Sequence, residues 1–426
     1  TKPASLLIRL MFFIKRMDKN SESKADPRED ETPLENQEED ESLFETNWTE
    51  SVDNFEDLKL KTNLLRGIYG VGFVKPSVIQ QKGILPVIQG KDTIAQAQSG
   101  SGKTATFSIS VLQNIDEDDL KTQALIVAPT RELATQIADV VTKLGHYLKI
   151  KVHLCVGGTN VNEEKNKLKE GCHIVVGTPG RIKDMINRQF LSTNFLKMLV
   201  IDEADEMLGM GFLEQINEII KMIPPDCQIA LFSATISPDI IKLTKDIMND
   251  PAKILVKKEN LTLEGIKQYY LSCSTDQNKY ENLFEIFSNI DINQCIIYCN
   301  TKEKTKTLAE KMTENDFMVS CINSELPQEK RNEIMKEFRD GATRILVSTD
   351  LLARGIDVQQ VGLVINFELP PKKENYIHRI GRSGRYGRRG IAINLVSQHE
   401  ATYLLQIQEF YQTQISELPN DLSELE

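Results

Sequence analysis

Short apolar runs alternate along this chain with longer amphipathic stretches. Each run is three to six residues long and contains no charged residue. Continuous apolar runs of this length, bounded by polar residues, predict strands that are buried on both faces. The runs of the first half are Ala124–Val127, Ile174–Val176, Met198–Ile201 and Ile229–Phe232, and those of the second half are Ile296–Tyr298, Ile345–Val347, Leu363–Ile365 and Ile391–Val396.

The amphipathic stretches between these runs, such as Glu132–Leu144 and Lys302–Lys311, fit the helices that connect parallel strands. The alternation occurs twice, on either side of the short polar segment Lys257–Gly265. The pattern therefore predicts an α/β protein with two tandem parallel-sheet domains, each with helices on both faces, joined by a short flexible linker. The predicted bounds are 51–256 for the first domain, 257–265 for the linker and 266–426 for the second domain.

Distinctive polar sequences follow the apolar runs directly. PTREL follows Val127, GTPGR follows Val176, DEAD follows Ile201, SAT follows Phe232, and STD follows Val347. In open α/β sheets, ligands bind beyond the carboxyl ends of the strands. The sequence therefore places the candidate functional residues along one edge of each predicted sheet.

A phosphate-binding loop is indicated by AQSGSGKT at Ala97–Thr104, which follows an apolar run and precedes a helical stretch. Glycine at positions 100 and 102 would let backbone N–H groups approach phosphate oxygens at the start of the helix. Lys103 would reach the β- and γ-phosphates, and the Thr104 hydroxyl would ligate Mg²⁺. The predicted nucleotide-binding residues of this loop are Gln98, Ser99, Gly100, Ser101, Gly102, Lys103 and Thr104.

The four residues Asp202–Asp205 read DEAD and follow a predicted buried strand. Burying a carboxylate is costly unless it meets a cation, so Asp202 is predicted to hold Mg²⁺, directly or through water. Glu203 would then position or deprotonate the attacking water. The alternative, an acidic surface turn, is disfavoured because the preceding strand directs these acids to the sheet edge that carries Lys103. The carboxylate of Asp205 can also form hydrogen bonds with the hydroxyls of Ser233 and Thr235 in SAT. This complementarity predicts that ATP hydrolysis is linked to motion between the two domains.

Composition narrows the class of protein. The chain has 426 residues, 40% of them hydrophobic and 27% charged, and no apolar stretch reaches the roughly 20 residues that span a bilayer. The seven cysteines are an odd number without paired spacing, which argues against a disulfide framework or a zinc site. We therefore expect reduced thiols and a cytoplasmic or nuclear protein.

The net charge of −11 is concentrated near the start of the chain. Residues 18–50 contain thirteen acidic and three basic residues and few large apolar ones, a composition that predicts disorder. Residues 1–16 are basic and amphipathic and fit either a mitochondrial presequence or, as we prefer, an upstream extension before Met17. The whole of 1–50 is thus predicted to lie outside the folded domains. Mild acidity elsewhere does not exclude RNA, since basic groups can line one cleft.

Together these motifs resemble the DEAD-box RNA helicases from about Asn54 to the end of the chain. The resemblance rests on motifs in a fixed order: GFVKPSVIQ (Gly72–Gln80), AQSGSGKT, PTRELA (Pro129–Ala134), GG (Gly157, Gly158), TPGR (Thr178–Arg181), DEAD, SAT, QEKR (Gln328–Arg331), STD, ARGID (Ala353–Asp357) and HRIGRSGR (His378–Arg385). The resemblance implies two RecA-like domains and an RNA-dependent ATPase that uses ATP and Mg²⁺. Within the family, the chain is most similar to the helicases of translation initiation.

The resemblance also assigns residues of the ATP site. It implies that Phe55 stacks on adenine and that the Gln80 amide, which can both donate and accept hydrogen bonds, reads the adenine edge. Asp357 would contact the ribose. Arg382 and Arg385 would act as arginine fingers on the γ-phosphate. His378 would couple the two domains, although a packing histidine is the alternative from residue type alone.

The remaining motifs suit an RNA backbone. The resemblance implies that RNA is bound by Pro129, Thr130, Arg131, Gly158, Thr178, Gly180 and Arg181 of the first domain and by Gln328, Arg331 and Thr349 of the second. Contacts of this kind position a strand without reading its sequence, and preference for RNA over DNA would come from 2′-hydroxyl groups. One departure from the family pattern is Ile322-Asn323-Ser324, where a His-Gly turn is common.

The predicted activity is local unwinding of short RNA duplexes by an ATP-gated clamp, in mRNA unwinding during translation initiation. The expected partners are single-stranded RNA, short duplexes and a translation-initiation scaffold protein, with the helicase itself a monomer. The main alternative is a non-unwinding RNA clamp of an exon-junction-like complex. Leu351-Leu352 before ARGID favours the initiation branch. A DNA-dependent phosphate-loop ATPase is disfavoured by Gln80 and the DEAD context.

Overall fold

The computed structural model describes residues 46–97, 100–255, 266–290, 294–350, 361–383, 390–411, 413–419 and 421–422, without the side chain of Glu374. They form two compact units, one on each side of the predicted linker. Several predictions lie outside the described residues, namely those for residues 1–45, for the linker 257–265, for Leu351-Leu352, and for the site residues Gln98, Ser99, Asp357 and Arg385. For residues 46–50, the prediction that they lie outside the folded domains is wrong, because Trp48 is buried in the apolar core of the first unit and the Asn47 N–H donates to the Lys253 carbonyl at 3.3 Å.

The first unit contains a seven-stranded sheet in the order β3-β4-β2-β5-β6-β1-β7. All of its described strand pairs are parallel. Its strands are β1 (Thr93–Gln96), β2 (Ala124–Val127), β3 (Val152–Cys155), β4 (Ile174–Gly177), β5 (Met198–Ile201), β6 (Gln228–Ser233) and β7 (Ala252–Leu255). Its helices are a 3-10 turn (Phe55–Leu58), α1 (Thr62–Gly70), α2 (Val78–Ile88), α3 (Lys103–Asn114), α4 (Arg131–Leu144), α5 (Val161–Lys169), α6 (Pro179–Asn187), α7 (Ala204–Gly209), α8 (Leu213–Lys221) and α9 (Pro238–Ile247).

The second unit contains another seven-stranded sheet, in the order β10-β11-β9-β12-β13-β8-β14. Its described strand pairs are also parallel. Its strands are β8 (Ile266–Cys273), β9 (Gln294–Tyr298), β10 (Val319–Ile322), β11 (Ile345–Ser348), β12 (Val361–Asn366), β13 (Gly390–Ser397) and β14 (Ser416–Glu417). Its helices are α10 (Asp276–Asn289), α11 (Lys302–Glu314), α12 (Gln328–Arg339), α13 (Lys373–Ile380), a 3-10 turn (Gln398–Glu400) and α14 (Ala401–Tyr411).

The two sheets have the same topology. When strands are counted within each unit, both orders read 3-4-2-5-6-1-7. This repeat confirms the fold class predicted from the recurring pattern, two parallel α/β domains in tandem. All eight apolar runs lie in strands, and the predicted helices Glu132–Leu144 and Lys302–Lys311 lie in α4 and α11.

Helices cover both faces of the first sheet. Successive strand residues point to opposite faces, so each strand contributes side chains to two apolar clusters. Ile126, Val176 and Val200 face one apolar cluster, which includes residues of α1 to α4. Leu125, Val175 and other alternate residues face a second cluster, which includes residues of α6 to α9. Among the residues that the structure describes, none of the helices combines the length and apolar character that a bilayer crossing requires.

Candidate functional site

The topology of the first sheet brings the polar motifs together in two groups at its carboxyl edge. Strands β5, β6 and β1 are neighbours, so the DEAD motif, the SAT motif and the phosphate loop lie side by side. Strands β3, β4 and β2 are also neighbours, which places the GG, TPGR and PTREL motifs beside one another. The group with the phosphate loop suits a nucleotide, and the group with the GG, TPGR and PTREL motifs suits an extended polyanion.

The phosphate loop requires glycine at two positions. Gly100 and Gly102 have φ values of 85° and 108°, in a region that residues with a Cβ rarely adopt. A Cβ at residue 102 would also lie 2.6 Å from Nε2 of Gln80 and 2.7 Å from Oγ of Ser77. Helix α3 begins at the next residue, Lys103, so its free N–H groups and positive dipole face the loop.

The predicted adenine residues are both buried in the first unit. Gln80 is 2% exposed, its Nε2 lies 3.4 Å from the carbonyl of Gly102, and its Oε1 accepts a hydrogen bond from the Ser77 N–H at 2.9 Å. Phe55 is fully buried and meets Tyr69 edge to face at 6.4 Å between ring centroids. The structure therefore brings Gln80 to the phosphate loop and packs Phe55 in the core.

A buried ion pair joins the phosphate loop to the DEAD motif. The Lys103 ammonium lies 3.3 Å from Oε1 of Glu203, and both side chains are 5% exposed. Asp202 is also buried and accepts a hydrogen bond from the Glu203 N–H through Oδ1 at 3.0 Å. Two carboxylates thus share one lysine in a site shielded from water.

This excess of negative charge perturbs Asp202. Burial, reinforced by the Glu203 charge and only partly offset by Lys103, raises the pKa of Asp202 to about 7. Glu203 itself has a φ of 51°, a left-handed conformation that costs about 1–2 kcal/mol for a residue with a Cβ. Strained backbone of this kind gathers at functional sites. Asp202, and Thr104 next to Lys103 in the first turn of α3, offer oxygen atoms of the kind that ligate a divalent cation.

The DEAD and SAT motifs are hydrogen-bonded to each other. The Thr235 hydroxyl donates to Asp205 Oδ2 at 2.9 Å, and the Asp205 N–H donates to the Ser233 hydroxyl at 3.3 Å. Gln96, which the sequence analysis did not select, donates to the carbonyl of Ala234 at 3.2 Å. A shift of either motif would therefore be transmitted to the other.

At the other half of the edge, Arg131 lies against the GG motif. A Cβ at Gly158 would be 2.8 Å from Nη1 of Arg131, and one at Gly157 would be 3.1 Å from its Nη2. The Thr130 hydroxyl caps α4 by accepting from the Leu133 N–H at 3.2 Å. The glycines therefore make room for a guanidinium on the backbone.

Thr178, Pro179 and Gly180 begin α6. Thr178 is the N-cap and Pro179 occupies the first helical position, where its missing N–H costs nothing. Nothing lies within 4 Å of a Cβ at Gly180, which is exposed. Since the fold does not require glycine there, the exposed backbone suits close approach by a ligand. Pro129, also predicted for RNA, is buried between β2 and α4.

Arg181 is held by a carboxylate that the sequence analysis missed. Its Nε donates to Glu164 Oε2 at 2.6 Å, and its Nη2 donates to the Thr159 carbonyl at 2.6 Å. The Glu164 side chain is 1% exposed, and its other oxygen lies 3.7 Å from Nε2 of His153. Burial opposes ionisation of Glu164, but bonds from His153 and Cys155 and the charge of Arg181 outweigh it and lower the pKa. The only sequence signal was an acid on the apolar side of a helix.

In the second unit, the predicted RNA residues lie at the starts of helices or ends of strands. Arg331 is 7% exposed and donates to Gln328 Oε1 at 2.5 Å, and Thr349 follows β11. At the departure from the family pattern, the buried Asn323 accepts from the Glu325 N–H at 3.0 Å. That turn replaces the His-Gly turn through a side-chain hydrogen bond.

The HRIGR motif forms the end of α13 and the turn after it. His378 is fully buried, and Arg382 is 2% exposed with its Nε donating to the carbonyl of His378 at 3.1 Å. Arg379, which the sequence analysis did not assign, is also fully buried. Its guanidinium donates to Asp350 at 2.5 Å, to the Glu368 carbonyl at 2.7 Å and to Asn300 at 2.8 Å.

Comparison with known proteins accounts for this arrangement. The profile of the DEAD/DEAH box helicases matches residues 77–243, and that of the helicase conserved C-terminal domain matches residues 216–387. Eukaryotic initiation factor 4A of Drosophila melanogaster is 53% identical over 387 residues, 91% of this chain and 96% of that protein. The ATP-dependent RNA helicase eIF4A of Kluyveromyces lactis is 55% identical over 386 residues, 91% of this chain and 98% of that protein.

A solved structure agrees with both profiles. Saccharomyces cerevisiae Dbp5 bound to RNA and ADP BeF3 superposes with a TM-score of 0.81 at 33% identity, covering 88% of this chain and 98% of that one. The order of motifs, the paired parallel sheets and the identity over most of the chain point the same way. The chain therefore belongs to the DEAD/DEAH box helicase family, and it is an ATP-hydrolysing RNA helicase with both helicase domains of that family.

Proposed function

We propose that this enzyme clamps single-stranded RNA with both of its units and separates short duplexes locally during translation initiation. The observation that carries the proposal is the buried Lys103–Glu203 pair beside Asp202 at the carboxyl edge of the first sheet. Such a site, shielded from water, holds charged groups ready for phosphoryl transfer. A neighbouring group of motifs on the same edge suits the RNA backbone.

On the nucleotide side, we assign the roles of Lys103 and Glu203 by charge and position and that of Arg382 by the family resemblance. Lys103 binds the β- and γ-phosphates, Glu203 orients the attacking water, and Arg382 offsets charge on the transferred phosphoryl group. The donor set fits Mg²⁺, because a hydroxyl on Thr104 and a buried carboxylate on Asp202 are oxygen ligands in a region of excess negative charge. Mg²⁺ would neutralise charge on the phosphates, and Asp202 would hold it directly or through water.

When ATP enters, its phosphates compete with Glu203 for the Lys103 ammonium. Release of the pair would free the Glu203 carboxylate to accept a proton from water. The hydrogen bond from the Thr235 hydroxyl to Asp205 and the one from the Asp205 N–H to the Ser233 hydroxyl then carry any shift of the DEAD motif to the SAT motif. This chain of contacts supports coupling between hydrolysis and RNA affinity.

The RNA side is proposed to contact phosphates and sugars. The exposed backbone of Gly158 and Gly180 offers N–H groups, and the hydroxyl of Thr349 and the amide of Gln328 add side-chain hydrogen bonds. These groups carry no base-specific pattern, so affinity should depend little on sequence. The Dbp5 structure named above, which contains RNA, supports this assignment by its similarity.

Translation initiation is proposed from the initiation-factor relatives, which match more than nine-tenths of this chain. The corresponding partner is an initiation scaffold protein that stimulates a monomeric, cytoplasmic helicase. Affinity capture from a translation extract tests this choice. Recovery of cap-binding and scaffold components supports it, whereas recovery of splicing components would favour the exon-junction-like clamp.

The enzymatic part is tested by phosphate release from ATP with single-stranded RNA, with the deoxy equivalent, or with neither. RNA alone should stimulate the wild-type enzyme, and Glu203→Gln should abolish that stimulation while RNA binding persists. Glu285→Gln, the same change at an exposed glutamate on α10 of the second unit, serves as the control. Equal stimulation by DNA and RNA would refute the RNA clamp.

A further inference from the structure

Six buried or half-buried side chains of the second unit form one continuous line of hydrogen bonds. Arg379 Nη1 donates to Asn366 Oδ1 at 3.2 Å, and Asn366 Nδ2 donates to Asn394 Oδ1 at 2.8 Å. Asn394 Nδ2 then donates to the Tyr376 hydroxyl at 3.2 Å, and that hydroxyl donates to Gln268 Oε1 at 3.0 Å. The line ends where Gln268 Nε2 donates to the Thr413 hydroxyl at 3.0 Å.

Every bond in this line runs in the same direction, with each member accepting from one neighbour and donating to the next. Hydrogen bonds arranged in this way polarise one another and strengthen the whole line. Burial holds the pKa of the Tyr376 hydroxyl far above its usual value, so the hydroxyl remains a donor at any working pH. We call this line the Arg379 chain.

Strand register explains why the Arg379 chain can form. Asn366 and Asn394 are paired Cα partners on β12 and β13, so their side chains stand next to each other on one face of the sheet. The residues before them, Ile365 and Ile393, point to the apolar cluster on the other face. Gln268 lies on β8, the next strand, in register with Ala392, two residues before Asn394 and therefore on the same face of the sheet.

The Arg379 chain includes two residues of α13 that lie one helical turn apart. Tyr376 and Arg379 are three residues apart on that helix and therefore share a face. Arg379 also bonds to Asp350 after β11, to Asn300 after β9 and to the Glu368 carbonyl after β12. Rotation or translation of α13 would break several of these buried bonds at once, each of which is costly to leave unmade.

We propose that Asn366, Asn394 and Tyr376 are positioning residues for ATP hydrolysis, because through Arg379 they fix the helix that carries His378 and leads directly into the turn with Arg382. The inference rests on the proposed role of Arg382 at the γ-phosphate. The positioning residues do not touch the nucleotide themselves. They restrict the conformational freedom of α13 before the nucleotide binds. Pre-organisation of this kind places a catalytic group accurately.

The first test removes one atom from the chain. Tyr376→Phe deletes the hydroxyl between Asn394 and Gln268 and leaves the ring in place. We expect kcat of RNA-stimulated ATP hydrolysis to fall about tenfold, since a small displacement of a positioned group can cost up to about a hundredfold. The KM for ATP should stay within about twofold, because Lys103 and the phosphate loop, to which binding of the ATP phosphates in the ground state is assigned, lie in the first unit, and Arg382 is proposed to act on the transferred phosphoryl group. The matched control is Tyr280→Phe, which should leave kcat unchanged, because Tyr280 lies on α10 in the apolar cluster on the opposite face of the sheet.

The second test separates positioning from stability. Asn394→Leu leaves Asn366 with an unmet donor and should destabilise the unit, whereas Asn366→Leu with Asn394→Leu replaces both partners of that bond by apolar groups of similar shape. In the double variant, Arg379 Nη1 keeps the Glu368 carbonyl as its acceptor and the Tyr376 hydroxyl keeps Gln268 as its acceptor. Such paired replacement can be nearly neutral for stability. We therefore expect the double variant to regain the melting temperature lost by Asn394→Leu, as followed by circular dichroism, and yet to keep a kcat at least about fivefold below wild type because the line to Arg379 stays cut. Recovery of kcat together with stability would overturn the inference.

Arg382→Gln distinguishes this inference from the function on which it rests. If Arg382→Gln lowers kcat while Tyr376→Phe and the double variant keep wild-type kcat, the Arg379 chain is purely structural and the proposed function stands. If Arg382→Gln leaves kcat unchanged, the assignment of Arg382 is wrong and the inference fails with it. A reduced kcat in all three variants, with unchanged KM, supports both.

Discussion

Replacing Glu164 with glutamine removes the charge that faces Arg181 and leaves the shape of the side chain. The carboxylate is 1% exposed and the guanidinium 10% exposed, with Nε and Oε2 2.6 Å apart. The variant therefore leaves a nearly buried guanidinium whose other acidic neighbour, Asp184, lies 3.9 Å from Nη1. We expect the first unit to lose stability while its fold is retained.

The magnitude follows from burial. Removing one partner of a buried ion pair costs about 3–5 kcal/mol, because the remaining charge loses its compensation. Glutamine keeps an acceptor for Arg181, and Asp184 supplies part of the missing charge, so we expect a loss of about 2–3 kcal/mol. The control is Arg188→Gln. That arginine pairs with Asp184 at 2.7 Å on the same helix α6, but its side chain is 52% exposed, and an exposed pair contributes about 0–1 kcal/mol.

The sequence supplies a suitable probe for this measurement. Trp48 is the only tryptophan of the chain, and it is buried in the apolar core of the first unit. Tryptophan fluorescence during urea unfolding therefore reports on that unit. With a urea slope of about 1–3 kcal/mol per molar, the Glu164→Gln midpoint should fall by about 1 M, while the midpoint of Arg188→Gln should move by less than half of that. Equal shifts for the two variants would show that burial does not decide the strength of these pairs.

The effect should also depend on pH in a defined direction. Burial raises the pKa of Glu164, but hydrogen bonds from His153 and Cys155 and the charge of Arg181 lower it by more, so the net effect is a lowered pKa. A lowered folded-state pKa means that the ionised carboxylate stabilises the fold above its unfolded value of about 4.3. This contribution is lost as the pH falls through the folded-state pKa. The difference between wild type and Glu164→Gln should hold from pH 6 to 8 and shrink below about pH 4.

Three further outcomes follow from the geometry of the first unit. Gly102→Ala should raise the KM for ATP about tenfold or more, because a Cβ would lie 2.6 Å from Gln80 Nε2. Gly90→Ala, with a positive φ but open space, should leave the KM unchanged and cost about 1–2 kcal/mol of stability. Gly180→Ala should keep wild-type stability, since its site is open, and weaken RNA binding in a fluorescence-anisotropy titration by about tenfold; unchanged RNA affinity would remove Gly180 from the RNA site. Thr235→Val should retain ATP hydrolysis within a few-fold but lose strand separation in a short-duplex assay, and parallel loss of both activities would contradict a coupling role.

The pattern of apolar residues predicted the central strands because these strands are buried on both faces. The edge strands were not predicted, and the reason is visible in their environment. In β3, for example, only Cys155 is fully buried, so no continuous apolar run marks Val152–Cys155. The edge strand β7 is likewise alternately buried and half-buried. A strand that is partly exposed at a sheet edge leaves a weaker signal in the sequence than one in the middle.

For the candidate site, the sequence indicated residues whose position relative to a strand end defines their chemistry. Asp202 and Thr130 are of this kind. It did not indicate Glu164 or Asn394, because their partners come from register and from helices distant in the chain. Asn394 nonetheless left a signal, since an amide within the apolar run Ile391–Val396 must find hydrogen-bond partners when it is buried. A polar residue inside an otherwise apolar strand is thus a useful indicator of a positioning network.

The two units use one sheet topology for opposite physical purposes. At the edge of the first sheet, the backbone of Glu203 is strained, Gly180 is open, and burial together with the neighbouring charge of Glu203 raises the pKa of Asp202. A ligand that supplies phosphates and a cation would change the charge balance of this site, so we expect the first unit to change conformation when that ligand binds. In the second unit, Arg379 and its chain satisfy their polar groups internally across strands β9 to β13. Because such a network resists displacement, the second unit is suited to holding an arginine at a fixed place. The conformational entropy of α13 is then lost when the protein folds and not when the nucleotide binds.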